Sequence, residues 1–158
     1  MRYILILLLT IGLHAQSYNF DEYKYIFAAN QEFKQSGRLS FEGNKTIITY
    51  SKPKYKQIIS DDEHVTIEGA SGKSYRLKGK GLFYTKLFID IMTRLGKIQE
   101  IKSNRDFDVK KDAEIYFITF KGEMQDQVPT AEVKTKNSKV VSFKLFMKNS
   151  DTLEIIKR

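Results

Sequence analysis

Leu82 to Leu95 reads LFYTKLFIDIMTRL, and the fold turns on how that stretch is read. Tyr84, Leu87, Phe88, Ile91, Met92 and Leu95 recur at i, i+3, i+4, i+7, i+8 and i+11, the spacing of one buried helical face. Lys86, Asp90, Thr93 and Arg94 take the other side. Gly79 and Gly81 before the stretch and Gly96 after it, with Arg94 in the last turn, are its stops. Burying six such side chains is worth about 1.5–3 kcal/mol each, so the helix must lie against an apolar surface. The sequence around it reads as strand. The expectation is one amphipathic helix laid on or into a large curved sheet.

Outward from the helix the period changes from 3.6 to 2. Leu39 and Phe41 alternate with polar residues, Gly43-Asn44 makes a tight turn, and Thr46, Ile48 and Tyr50 alternate again, which is a β-hairpin ended by Pro53. Strands follow at Tyr55 to Ser60, at His64 to Glu68 and around Tyr75 and Leu77. Beyond the helix, Ser103 to Asp112 is polar and reads as an exposed loop. Ala113 to Lys121 is apolar on both faces, as suits a central strand covered on each side. Thr130 to Thr135, Lys139 to Met147 and Thr152 to Ile156 complete the set, with Val141, Phe143, Leu145 and Met147 sharing a side. Residues 17–36 fit either a short helix or a first strand. Nine or ten strands joined by short turns make an antiparallel meander. The fold class is mainly β (α+β), a large curved antiparallel sheet with one helix on or in it.

The 158 residues make one domain by length, and 13% aromatics with 29% charged residues is a globular composition. Met1-Arg2, an apolar run from Tyr3 to Leu13 and then His14-Ala15 have the three-part layout of a secretory signal cleaved after Ala15. Residues 16–158 are then the working domain, exported to the periplasm, which argues against nucleic acid as a partner. A short uncleaved anchor is the competing reading. The net charge of +8, or +7 without Arg2, biases the surface toward anionic partners. The absence of cysteine excludes disulfides, thiolate metal sites, a catalytic thiol and an acylated N-terminal cysteine.

Three groups invite a chemical reading. Gly72-Lys73-Ser74 matches the end of a phosphate-binding loop, but the matching first glycine would fall at Ile67 and a strand, not a helix, follows. Ser60-Asp61-Asp62-Glu63-His64 joins a hydroxyl, three carboxylates and the one histidine left after the leader, yet neighbours on a hairpin tip diverge. A hydrolase built on Asp61, Glu63 or His64 is the third-ranked function. Lys52, Lys54, Lys56, Lys73, Arg76, Lys78 and Lys80, interleaved with Tyr55 and Tyr75, form a basic run suited to anionic lipid or an envelope partner, or simply to a solvated face. No catalytic residue, metal site or cofactor is expected.

Gly37-Arg38-Leu39-Ser40-Phe41, then Ile47 to Pro53, then Ile58-Ile59-Ser60-Asp61 resembles the G-x-L, x-W-x-Y-x-x-P and I-V-S-D succession of the LolA-like periplasmic outer-membrane lipoprotein carriers. Phe143 to Met147 followed by Asn149 to Ile155 resembles that family's closing hairpin. The resemblance implies an incomplete, strongly curved antiparallel β-barrel with a helical lid or plug over an apolar cavity that carries acyl chains between inner- and outer-membrane partners, as a monomer. Glu42-Gly43-Asn44 and His64 to Ile67 depart from the family pattern, which widens the expected cargo from a lipoprotein to a lipid or glycolipid. The expected lining is Leu39, Phe41, Ile48, Tyr50, Tyr84, Leu87, Phe88, Ile91, Met92, Leu95, Phe143 and Leu145. The alternative is a non-carrier envelope interaction module with a packed β-core and the basic face for docking.

Overall fold

The computed structural model describes residues 17–95 and 100–158. The leader and the Gly96 stop lie outside those residues. Eleven strands form one sheet: β1 (Tyr18–Ile26), β2 (Gln31–Glu42), β3 (Lys45–Lys52), β4 (Lys56–Ser60), β5 (Val65–Gly69), β6 (Ser74–Arg76), β7 (Phe107–Asp112), β8 (Ile115–Phe120), β9 (Thr130–Lys136), β10 (Lys139–Phe146) and β11 (Thr152–Lys157). One helix, α1 (Gly79–Arg94), and two 3₁₀ turns, Phe27–Ala29 and Gly122–Asp126, complete the described elements. The strand order is β6-β5-β4-β3-β2-β1-β11-β10-β9-β8-β7, so the sheet is open, with β6 and β7 as its edges.

Two meanders, β1 to β6 and β7 to β11, are zipped together by the antiparallel β1–β11 pair, with Phe20 opposite Lys157 and Tyr25 opposite Thr152. The chain must therefore pass from one edge of the sheet to the other between β6 and β7, and α1 makes that crossing. Buried residues from both meanders and from the helix form a single core, from Val65 on β5 through Met92 to Phe120 on β8. A sheet of this width meets both ends of one core only by curving around the helix. Each edge is blunted: β6 has three residues, all exposed, and β7 carries Lys110 and Lys111.

The open curved sheet and lone helix agree with the expected class, and several details differ. Residues 17–36 open with a strand, β1, whose Tyr18, Phe20 and Glu22 bury one face in strict alternation, and turn through Phe27–Ala29 into β2. The helix starts at Gly79, so Gly79 and Gly81 lie in its first turn instead of before it; Gly79 has φ of 55°, which a glycine adopts without strain. The polar stretch before residue 112 contains β7, held to β8 by the Phe107–Phe120 and Val109–Ile118 pairs. β8 is not a doubly covered central strand: it lies next to an edge, and Phe117 is 41% exposed. In β10 a bulge between Val140 and Ser142 puts Val140 in the buried row with Phe143 and Leu145 and leaves Val141 off it. Among the described residues, no helix is long and apolar enough to cross a membrane.

Candidate functional site: a hollow under the helix

The helix has two apolar faces. Ile89 and Met92 are buried on one, and Leu95 follows them into the core. Tyr18 donates its hydroxyl proton to the Met92 carbonyl, fixing this face against β1. Phe88 meets Phe143 of β10 edge to face at 6.3 Å. At 100° per residue, Phe83, Leu87 and Ile91 lie on roughly the opposite side from Ile89 and Met92. That second face is only partly covered, and it borders a cavity of about 810 Å³.

The cavity lies between α1 and the C-terminal meander. Ala131, Val133, Val140, Phe143 and Leu145 form its floor from β9 and β10. Ile118 and Phe120 of β8, Phe107 of β7, Met124 of the second 3₁₀ turn and Ile101 close the sides. Charged groups stand at the rim, and most are paired there: Arg94 with Asp90 at 3.0 Å, Lys102 with Glu100 at 3.4 Å and Arg105 with Asp106 at 3.3 Å. Lys121, also on the rim, reaches Asp108 at 2.7 Å. The side chains between helix and sheet are thus apolar, and the charged ones stand at the margin. Among the described residues, no cluster of three or more His, Asp or Glu side chains could hold a metal ion.

The N-terminal meander buries the same kinds of residue in close contact. Phe20, Leu39, Ile48 and Tyr50 are fully buried there. The Phe20 ring lies against the backbone of Gly37, where an added Cβ would come within 2.6 Å of the ring, and meets Tyr50 edge to face at 5.6 Å. Glu22 is buried among them, and its carboxylate accepts the Tyr50 hydroxyl at 2.6 Å and the Gln35 amide at 3.3 Å. Burial pushes the Tyr50 hydroxyl well above the usual phenol range, and the neighbouring Glu22 charge pushes it further. Tyr50 stays a donor across the physiological range.

The expected lining divides between these two environments. Leu87, Ile91, Phe143 and Leu145 border the cavity. Leu39, Ile48, Tyr50, Met92 and Leu95 belong to the solid core, and Phe41 and Phe88 pack at its margin. Tyr84 is half-buried beside Phe83, outside the lining. The sequence reading missed Phe83, Ile101, Phe107, Ile118, Phe120, Met124, Ala131, Val133 and Val140 as lining. The alternation of Tyr116, Ile118 and Phe120 was visible, but nothing local says which inward rows meet a side chain and which meet a void.

The basic run also divides. Lys52, Lys54, Lys56 and Lys73 sit at one end of the strands, whereas Arg76, Lys78 and Lys80 sit at the other, where β6 leads into α1. Asp61 accepts the backbone N–H groups of Glu63 at 2.9 Å and His64 at 2.6 Å, which hold its carboxyl below the usual carboxylate range. Its oxygen lone pairs thus close the β4–β5 turn. At the other loop Gly69 donates to Lys73 and Gly72 to Gly69, so the backbone amides of the would-be phosphate loop close a hairpin.

No family model matches the chain, and no curated protein matches its sequence. Among solved structures it is similar to a DUF1329 family protein from Desulfovibrio piger, at 10% identity over 90% of this chain and 82% of that one, with a TM-score of 0.46. It is similar also to a LolA superfamily protein from Nitrosomonas europaea, at 9% identity over 90% of this chain and 83% of that one, with a TM-score of 0.40. Likeness at that distance carries nothing about function, which has to come from the cavity.

Proposed function

We propose that the protein is a periplasmic carrier that shelters the acyl chains of a lipoprotein, or of another lipid or glycolipid, and passes them toward the outer membrane. The observation behind this reading is the hollow of about 810 Å³ with an apolar interior and a charge-paired rim. That volume is within the range of small-molecule sites, about 300–1,000 Å³. Hiding a methylene from water is worth about 0.8 kcal/mol, so ten of them supply about 8 kcal/mol with no polar contact. The two-faced helix suits a carrier, since Ile89 and Met92 anchor it to the solid meander while Leu87 and Ile91 are left for cargo. The motif resemblance from Gly37 to Asp61 points the same way. A carrier needs no catalytic residue, and inner- and outer-membrane partners would load and unload it.

Solvent extraction of the purified mature protein followed by lipid mass spectrometry tests this directly. Stoichiometric lipid, or saturable uptake of a fluorescent fatty acid, is expected. Ala131→Phe, which fills the floor, is expected to cut that uptake at least about tenfold without lowering the melting temperature. A protein that emerges empty and takes up no fatty acid overturns the reading in favour of a packed docking module.

A further inference from the structure

Strand register sorts the connections by end. Because every pairing is antiparallel, the β1–β2, β3–β4, β5–β6, β8–β9 and β10–β11 connections all lie at one end of the strands. At that end the β1–β2 hairpin outgrows β3 on one side, while on the other β11 follows β1 as far as Tyr25. β2 pairs with β3 only from Ser36 onward, so Gln31 to Gln35 extend beyond β3 by five residues, about 17 Å of strand. Phe27, 59% exposed, and Phe33, 48% exposed, stand on this projection, flanked by Lys24 and Lys34.

The projection is built, not frayed. Asn30 takes a left-handed conformation and donates its N–H to the Phe27 carbonyl at 3.1 Å. The Tyr25 hydroxyl donates to Asn30 Oδ1 at 2.9 Å, and the Phe27 N–H to Asp151 Oδ1 of the β10–β11 turn at 2.9 Å. Water-exposed phenyl rings on a turn fixed by three hydrogen bonds are costly on a surface that meets only water. The same end carries Lys52, Lys54, Lys56, Lys73, Lys121 and Lys148, with Glu32, Glu68, Glu123, Asp126 and Asp151 opposing them, and the 40%-exposed Tyr55 in the β3–β4 turn. Among the described residues, Lys52, Lys54 and Lys73 form no ion pair.

We propose that this end of the sheet docks onto an anionic lipid bilayer, with Phe27 and Phe33 entering the head-group layer and the lysines facing lipid phosphates. Aromatic rings favour that layer, and lysines gain there from the negative surface potential. A bilayer fits better than a folded partner for a geometric reason. Two exposed rings on a hairpin free along one side offer far less than the roughly 800 Å² per side of a stable protein interface, but a fluid surface closes around a projection of any shape. The second 3₁₀ turn, on the cavity rim, lies at this end too, so docking would turn the hollow toward the membrane. That last consequence rests on the carrier reading; the docking does not.

Vesicle sedimentation of the mature protein tests the proposal, using phosphatidylcholine alone and phosphatidylcholine with about 30% phosphatidylglycerol. Binding to the anionic vesicles only, weakened by salt, is expected. Phe27→Ser/Phe33→Ser should weaken it at least about tenfold at an unchanged melting temperature. Lys52→Gln/Lys54→Gln/Lys73→Gln should weaken it and flatten its salt dependence. Lys136→Gln/Lys139→Gln, at the opposite end, should leave it unchanged. No wild-type binding, an aromatic variant that binds like wild type, or sensitivity only at the opposite end overturns the proposal. Vesicle binding by a protein without cargo, or cargo in a protein that ignores vesicles, separates this proposal from the carrier reading.

Discussion

The two meanders have similar composition and opposite interiors. On β1 to β5 the inward rows meet one another and the Ile89–Met92 face of the helix, and Phe20 packs so closely that Gly37 has no room for a Cβ. On β7 to β10 inward rows of the same apolar kind join that core in part, Phe143 against Phe88, and in part border a cavity beside the opposite side of the helix. The difference shows that an apolar row is not by itself a core. Packing density decides whether a row stabilises the fold or waits for a ligand, because an atom facing a void forgoes its dispersion partners.

Truncation gives the largest contrast. Phe20→Ala is expected to cost about 3–5 kcal/mol, as a buried ring whose removal leaves a new cavity. Phe120→Ala, bordering a hollow already present, is expected to cost about 1–2 kcal/mol, since part of its contact was never made. Thermal or denaturant unfolding measures both, and equal losses would mean that the two meanders are packed alike.

Enlargement reverses the contrast. Gly37→Ala forces the Phe20 ring and the Thr49 carbonyl apart and should cost about 1–3 kcal/mol. Ala131→Leu adds more atoms but points them into the hollow, so its melting temperature should hold or rise while fatty-acid uptake falls. A destabilised Ala131→Leu with normal uptake would place the free space elsewhere.

Period carried most of the fold and little of the site. Alternation at Leu39, Phe41, Ile48 and Tyr50 and the turn at Gly43-Asn44 located a hairpin correctly, because a period of two has one structural meaning once a turn closes it. β7 was hidden because an edge strand needs only Phe107 and Val109 inward, and its lysines read as loop. The bulge at Val140 was hidden as well, since an inserted residue leaves no mark in composition and shifts every later inward residue by one. The helix shows the limit most directly. Its apolar arc is wider than one face, and the sequence reading fitted a single stripe through Tyr84, Leu87, Ile91 and Met92, midway between the buried face and the cavity wall. The split depends on what stands on each side, and that is a long-range property.

Tyr50→Phe probes the buried polar cluster around Glu22. It leaves Glu22 with the Gln35 amide as its remaining donor, and the expected loss is about 1–3 kcal/mol. No matching loss is expected from Tyr116→Phe on the hollow side, whose ring is buried but whose hydroxyl makes no hydrogen bond among the described residues.

The smallest effect belongs to the seam that joins the two meanders. Asp21 on β1 accepts the Ser36 hydroxyl at 2.7 Å and lies 3.5 Å from Lys34 on β2 and 3.4 Å from Arg158 beyond β11, so one carboxylate ties strands from both meanders. The Ser36 bond, then the Arg158 and Lys34 charges, hold its carboxyl below the usual carboxylate range. A depressed value means that the ionised form is the one the fold favours. Its stabilisation is therefore complete above the unfolded-chain value of about 3.9 and disappears as pH falls through the lower native value. Asp21→Asn should cost about 1 kcal/mol or less near neutrality, as for other solvent-screened pairs, and the gap between variant and wild type should close on acidification and narrow in high salt. A gap that persists below the carboxylate range would show that the seam is held by the shape of the Ser36 contact and not by charge, leaving β1–β11 pairing alone to join the solid meander to the hollow one.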